Sequence, residues 1–172
     1  MKFFSCALVF AACFLAGCGY HVAGKTDVLP TEVHTIAVLP FSNVSTQQYK
    51  FTDYLAQSIG REFITRTKYK VIADPAKADA VLSGAVANMY SAAFVSDPRT
   101  GRSTGAQVVV QVQAKLVDKN GKVLFQRPNI EFRERYEISV DPKQYFDESG
   151  AAMHRLSGDV ARTIVSAVIE NF

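Results

Sequence analysis

In the run AQVVVQVQAKLVD, Ala106 to Asp118, apolar side chains fall on alternate positions. Val108, Val110, Val112, Ala114 and Leu116 take one parity, and Gln107, Gln111, Gln113 and Lys115 take the other. A period of two belongs to a strand with one face in a core. The segment DKNGK, Asp118 to Lys122, then turns the chain into a second run, and the length of that turn decides which face every later residue takes. A loop of Asn120 and Gly121 alone pairs Leu116 with Phe125 and Val110 with Glu131, which puts Ile130 and Phe132 on the polar face. A loop of Lys119 to Gly121, with Gly121 left-handed in a bulge, pairs Leu116 with Leu124, Val110 with Ile130 and Val108 with Phe132. A slip of one residue inverts every side chain, so the longer loop is expected. Pro128 has no N–H for a ladder and predicts an edge strand or a bulge there. The other face then carries Gln107, Gln111, Gln113, Lys115, Arg127, Arg133 and Arg135, which reads as a solvated face.

The rest of the chain supplies partners for this hairpin. HTIAVLPF, His34 to Phe41, is a continuous apolar run closed by Pro40, as expected of a strand buried on both faces. From Thr52 the spacing changes to three and four, with Tyr54, Leu55, Ile59 and Phe63 on one side and Gln57, Arg61, Glu62 and Arg66 on the other, which predicts an amphipathic helix. YKVIA, Tyr69 to Ala73, is a short strand, and strand, helix, strand in so few residues predicts a parallel pair. Ala80 to Val95 predicts a long central strand under helices. Met153, Leu156, Val160, Ile164 and Val168 recur at helical spacing and predict a closing helix, with Gly158 relieving a close approach to the sheet. The expected fold is α+β in two layers, with two helices packed on one face of a mixed sheet of about four to five strands.

The N-terminus reads differently. Lys2 precedes an apolar run from Phe3 to Leu15, and the small residues Ala16 and Gly17 lead into Cys18. The run falls short of the roughly 20 apolar residues that span a bilayer, so a spanning helix is the weaker reading and a signal peptide the stronger. LAGC matches the bacterial lipobox, in which the cysteine thiol takes a diacylglyceryl group and a peptidase cuts before it. Cys18 is then the lipidated first residue of the mature chain. Residues 1–17 are expected as signal peptide, 18–31 as lipidated N-terminus and tether, and 32–172 as one domain. Buried acyl methylenes contribute roughly 0.8 kcal/mol each, so the two or three chains of a lipoprotein hold it on the membrane. Cys6, Cys13 and Cys18 all lie at or before the cut, which leaves the domain without a thiol or disulfide of its own. Gly19 is not the aspartate that commonly retains lipoproteins at the inner membrane, which favours the outer membrane.

Without its first seventeen residues the chain has 18 basic and 16 acidic groups, too mild a balance to argue for nucleic acid. A hydrophobic content of 48% in 172 residues supports one real core. No phosphate-binding glycine loop, zinc-spaced Cys/His set or nucleophile elbow appears. His21, His34 and His154 are scattered, and Glu131 with Glu134 reads as surface rather than as an acid and base, so neither metal, cofactor nor enzyme activity is expected. The loop SDPRTGRSTG, Ser96 to Gly105, holds Arg99 and Arg102 among small polar residues. It reads as an ordinary hairpin loop or as a phosphate site in which guanidinium forks are joined by exposed backbone N–H groups.

CGYHVAG after the lipobox, the IAVLPFSN strand, the amphipathic helix, ADAVLSGAV and the hairpin together resemble the LptE family of lipopolysaccharide-assembly lipoproteins, over essentially the whole chain. The most specific part is Cys18 with Gly19, Tyr20 and His21. The resemblance implies a two-layer domain seated in the barrel of the outer-membrane translocon LptD, as plug and assembly factor, and contact with lipopolysaccharide. On that reading Arg99 is the first lipopolysaccharide-binding residue, Arg102 the second and Lys143 a third that matches no family motif. The IAVLPFSN strand also resembles TolB N-terminal and CsgG-like periplasmic domains, which implies instead an envelope scaffold or secretion-type lipoprotein that binds proteins only.

Overall fold

The computed structural model describes residues 29–44, 49–138 and 149–170. Cys18, the segment before it and Lys143 lie outside these residues. The elements run β1 (Thr35–Val38), β2 (Ser42–Asn43), α1 (Tyr49–Arg66), β3 (Lys70–Ile72), a short 3-10 turn (Pro75–Lys77), β4 (Ala80–Ser96), β5 (Ser103–Asp118), β6 (Val123–Glu137) and α2 (Ser149–Glu170). The class is the α+β one that the patterning predicts. The sheet has six strands in the order β3-β1-β4-β5-β6, with β2 also paired to β4. The additional strand comes from Pro40, which lacks the N–H a ladder needs: β1 ends before it, and pairing to β4 resumes at Ser42. Ile36 and Ala37, adjacent and so on opposite faces, are both almost fully buried.

Phe51, Leu55, Ile59 and Phe63 follow one another every four residues along α1 and are fully buried. Leu156, Val160, Ile164 and Val168 do the same on α2. Beneath them the sheet presents layers of opposed side chains: Leu82, Leu116 and Phe125, then Val86, Val112 and Ile130, then Met89, Val110 and Phe132. Each fully buried side chain of this size contributes roughly 1.5–3 kcal/mol by transfer from water, so these layers and the two helical stripes are the core. Leu29 and Val33 also belong to it.

β1 and β3 are parallel, and β1 is parallel to β4 on its other side. Asp79 ties the start of this arrangement together. Its Oδ2 accepts from the backbone N–H groups of His34 at 3.1 Å and Thr35 at 3.0 Å and from the Thr35 hydroxyl at 2.8 Å. The Thr35 hydroxyl in turn accepts from the Asp79 N–H.

The hairpin has the expected loop. Asp118 and Lys122 bracket Lys119 to Gly121, Gly121 has φ +84°, and its N–H donates to the Asp118 carbonyl. The expected partners do not follow, because β6 contains two bulges. The first falls between Val123 and Phe125 and sets Leu116 opposite Phe125; the second, at Pro128 and Asn129, sets Val112 opposite Ile130 and Val110 opposite Phe132. Val108 faces Glu134 rather than Phe132. Between the bulges Arg127 stands opposite the buried Ala114, so it leaves the polar face and takes a place over the Phe125 ring, 6.0 Å from its centroid.

Two further expectations are corrected. Gly158 has nothing within 4 Å of an added Cβ and lies on the solvent side of α2, so it relieves no contact with the sheet. The close approach is at Gly84, where a Cβ would collide with the Phe41 ring and the Gln113 carbonyl. The long strand β4 is only half covered. At ordinary rises its 17 residues extend roughly 56 Å, against roughly 27 Å and 33 Å for helices of 18 and 22 residues. Ser91 to Ser96 are accordingly exposed, on an arm formed by the ends of β4, β5 and β6.

Candidate functional site

The turn that closes the arm is built by Asp97. Its N–H donates to the Arg102 carbonyl at 2.9 Å, and its own carbonyl accepts from the Gly101 N–H at 2.8 Å. Its carboxylate accepts from the Arg99 N–H at 2.8 Å and from the Thr100 hydroxyl at 3.0 Å. These bonds, the Arg99 N–H foremost and the Thr100 hydroxyl next, hold the carboxyl below the usual range of an aspartic acid. Gly101, at φ +65°, supplies the left-handed residue the turn requires.

This geometry changes the chemistry expected of the loop. The N–H groups of Arg99 and Gly101 point inward to Asp97, and that of Arg102 lies 3.4 Å from the Thr100 hydroxyl. They do not form a nest for an anion. What the tip presents is the two guanidinium groups. Arg99 and Arg102 are both exposed and have no ion-pair partner among the described residues.

Next to them stand residues that the sequence does not single out. Tyr90, Phe94 and Val95 are 48%, 49% and 45% exposed, a large apolar surface for the end of a sheet. Phe94 is the extra residue of a bulge between Ala93 and Val95. Its ring lies over Gly105, where a Cβ would come within 3.0 Å, and the Arg135 guanidinium covers it at 5.1 Å from the centroid. The available signal was the glycine at position 105 within a strand pattern, which marks the close approach of another group.

Arg133, also on the open face, is paired. Arg133 meets Glu131 through Nη2 at 2.7 Å and Nε at 2.9 Å, and Gln111 donates to the same carboxylate at 3.1 Å. The two donors, Arg133 first, hold the Glu131 carboxyl below its usual range, and the carboxylate raises the Arg133 guanidinium. Glu134 lies on the other face, opposite Val108, and accepts from Arg155 of α2 at 2.7 Å. Glu131 and Glu134 therefore do not form a carboxylate pair. His34 contacts the Glu32 carbonyl at 3.0 Å and His154 stacks edge-on with Tyr54 at 5.7 Å, two unrelated structural places. Among the described residues no His, Cys, Asp and Glu cluster could hold a metal, and no helix is long and apolar enough to cross a membrane.

Comparison with known structures shows the same fold in bacterial proteins, lipoproteins among them. Lipoprotein B from Nitrosomonas europaea is similar with a TM-score of 0.61 at 16% identity, over 89% of this chain and 92% of that one. PelC from Paraburkholderia phytofirmans, solved as a dodecamer, gives 0.53 at 17% identity, over 80% and 87%. A minor lipoprotein from Acinetobacter baumannii gives 0.51 at 12% identity, over 81% and 94%. No curated protein matches the sequence. The family described as LptE, lipopolysaccharide-assembly, matches residues 33–168, which run from before β1 to within two residues of the end of α2. The chain belongs to the LptE lipopolysaccharide-assembly family.

Proposed function

We propose that this protein is an outer-membrane lipoprotein, anchored through lipid on Cys18, that plugs and assists assembly of an LptD-like barrel and contacts lipopolysaccharide on its way to the cell surface. Family membership over residues 33–168 carries the reading, and it is a role in assembly rather than catalysis. The arm adds physical support. A domain seated in a polar barrel lumen presents polar side chains to the wall, and the open sheet face has Gln113 and Lys115 exposed. Lipid A combines acyl chains with phosphates, and the arm sets exposed Tyr90, Phe94 and Val95 close in sequence to the exposed guanidiniums of Arg99 and Arg102. Arg99 is the first phosphate contact, Arg102 the second and Lys143 the third.

Affinity purification from detergent-solubilised outer membrane tests the first part. A large barrel protein is expected to co-purify. Its absence from correctly placed protein overturns the barrel assignment and favours a scaffold lipoprotein that binds smaller envelope proteins. For the arm, Arg99→Glu with Arg102→Glu is expected to lower lipopolysaccharide binding at least tenfold while the thermal midpoint stays in place. Unchanged binding returns the loop to an ordinary hairpin.

A further inference from the structure

The helical layer carries a second cationic concavity, built from different residues than the arm. α1 and α2 meet through small side chains: the Ser58 hydroxyl lies 3.4 Å from that of Ser157, and Gly158 beside it leaves open space where a Cβ would project. The result is a groove of about 360 Å³ on the solvent side of the helix pair, at the small end of the range of ligand sites. Arg61, Arg155 and Arg162 line it together with His154 and Ser58, and Glu62 and Asp159 complete the wall.

The charges decide what such a groove takes. With the partners just outside it, Arg66 and Glu134, the groove sets four guanidiniums against three carboxylates and stays positive, and its walls hold too many charges for an apolar ligand. Arg61 has no ion-pair partner among the described residues. Arg155 is oriented by Nε on Glu134 across the helix–sheet boundary. The carboxylates are engaged along the helix surfaces, Glu62 with Arg66 at 3.7 Å and Asp159 with Arg162 at 3.2 Å. Solvent-reached pairs of this kind are weak and yield to a ligand that offers several acceptors to a guanidinium fork. A phosphate does so.

We propose that this groove is a phosphate-binding site, taking either inorganic phosphate or the phosphodiester of a lipid headgroup, with Arg61 and Arg162 as the principal forks. The proposal is independent of the arm. The full-length protein in an uncharged detergent is titrated by calorimetry with inorganic phosphate and, separately, with dihexanoyl phosphatidylglycerol below its micelle concentration. In a background carrying Arg99→Glu with Arg102→Glu, which removes the arm's own phosphate contacts, saturable binding is expected to persist and to be weakened at least tenfold by adding Arg61→Gln with Arg162→Gln. Lipid binding at least tenfold tighter than phosphate assigns the headgroup as the source, and equal affinities assign the free ion. If the glutamine variant melts early, Gly158→Glu, which places a carboxylate on the open floor without a steric conflict, gives the same decision. No saturable binding of either probe, or binding that both variants leave intact, overturns the site.

Discussion

At the residue scale, the positions that hold the fold together most tightly are ones that a hydropathy pattern does not mark. Gly84 sits in a run of small residues on β4, yet the Phe41 ring and the Gln113 carbonyl occupy the space of its absent Cβ. Gly84→Ala is expected to cost about 1–3 kcal/mol, the usual range for overpacking, read as a lower urea midpoint; an unchanged midpoint shows that Phe41 can move aside. Asp79 belongs to a turn of ordinary composition, and nothing in that turn tells that it reaches back to His34 and Thr35. The Thr35 hydroxyl, followed by the two N–H groups, holds its carboxyl below the usual range. Since the folded state favours the ionised form, the contribution is present above the ordinary aspartic pKa and is lost as pH falls through the lower folded value. Asp79→Asn is therefore expected to destabilise the protein at pH 7, with the difference from wild type shrinking below about pH 4 in urea melts. A difference that stays constant down to pH 2 removes the carboxylate from the account.

At the level of elements, the hairpin shows what alternation can and cannot reveal. The loop of Lys119 to Gly121 and the core-facing parity of Ile130 and Phe132 both follow from the pattern, since only one register buries the apolar set. The cross-strand partners do not follow, because each bulge in β6 adds one residue. Two bulges add two, so parity is restored while every partner beyond them is displaced. Pro128 signalled the second bulge; nothing in Val123, Leu124 and Phe125 signalled the first. The helices were legible from spacing alone, since one apolar stripe every three to four residues has one way to face the sheet. Gly121→Ala, at a φ of +84° with open space around it, is expected to cost roughly 1–2 kcal/mol through backbone strain alone. Urea melts check this, and a neutral result means that the turn relaxes to another type.

For the whole molecule, the two-layer class and the order of elements came through in the sequence, and the mismatch in length between layers did not. A strand pattern gives the spacing of side chains along it, whereas cover depends on how far helices reach, which is a property of two distant segments. The candidate site was half legible for the same reason. Arg99 and Arg102 stand out among glycine, serine and threonine, but Phe94 and Arg135 come together only because β4 and β6 flank β5. Along β4 the arm that results has a ladder of backbone hydrogen bonds and exposed side chains, although its β5 partners Ala106 and Val108 are buried, while the same strand a few residues earlier lies under the helical layer. Such a sheet is two regions of unequal cooperativity. The amides of Ser91 to Ser96 are expected to exchange with deuterium through local fraying, and those of Leu82 to Val86 only when the whole domain opens, so the tip can adapt its shape to what it meets while the fold behind it stays closed.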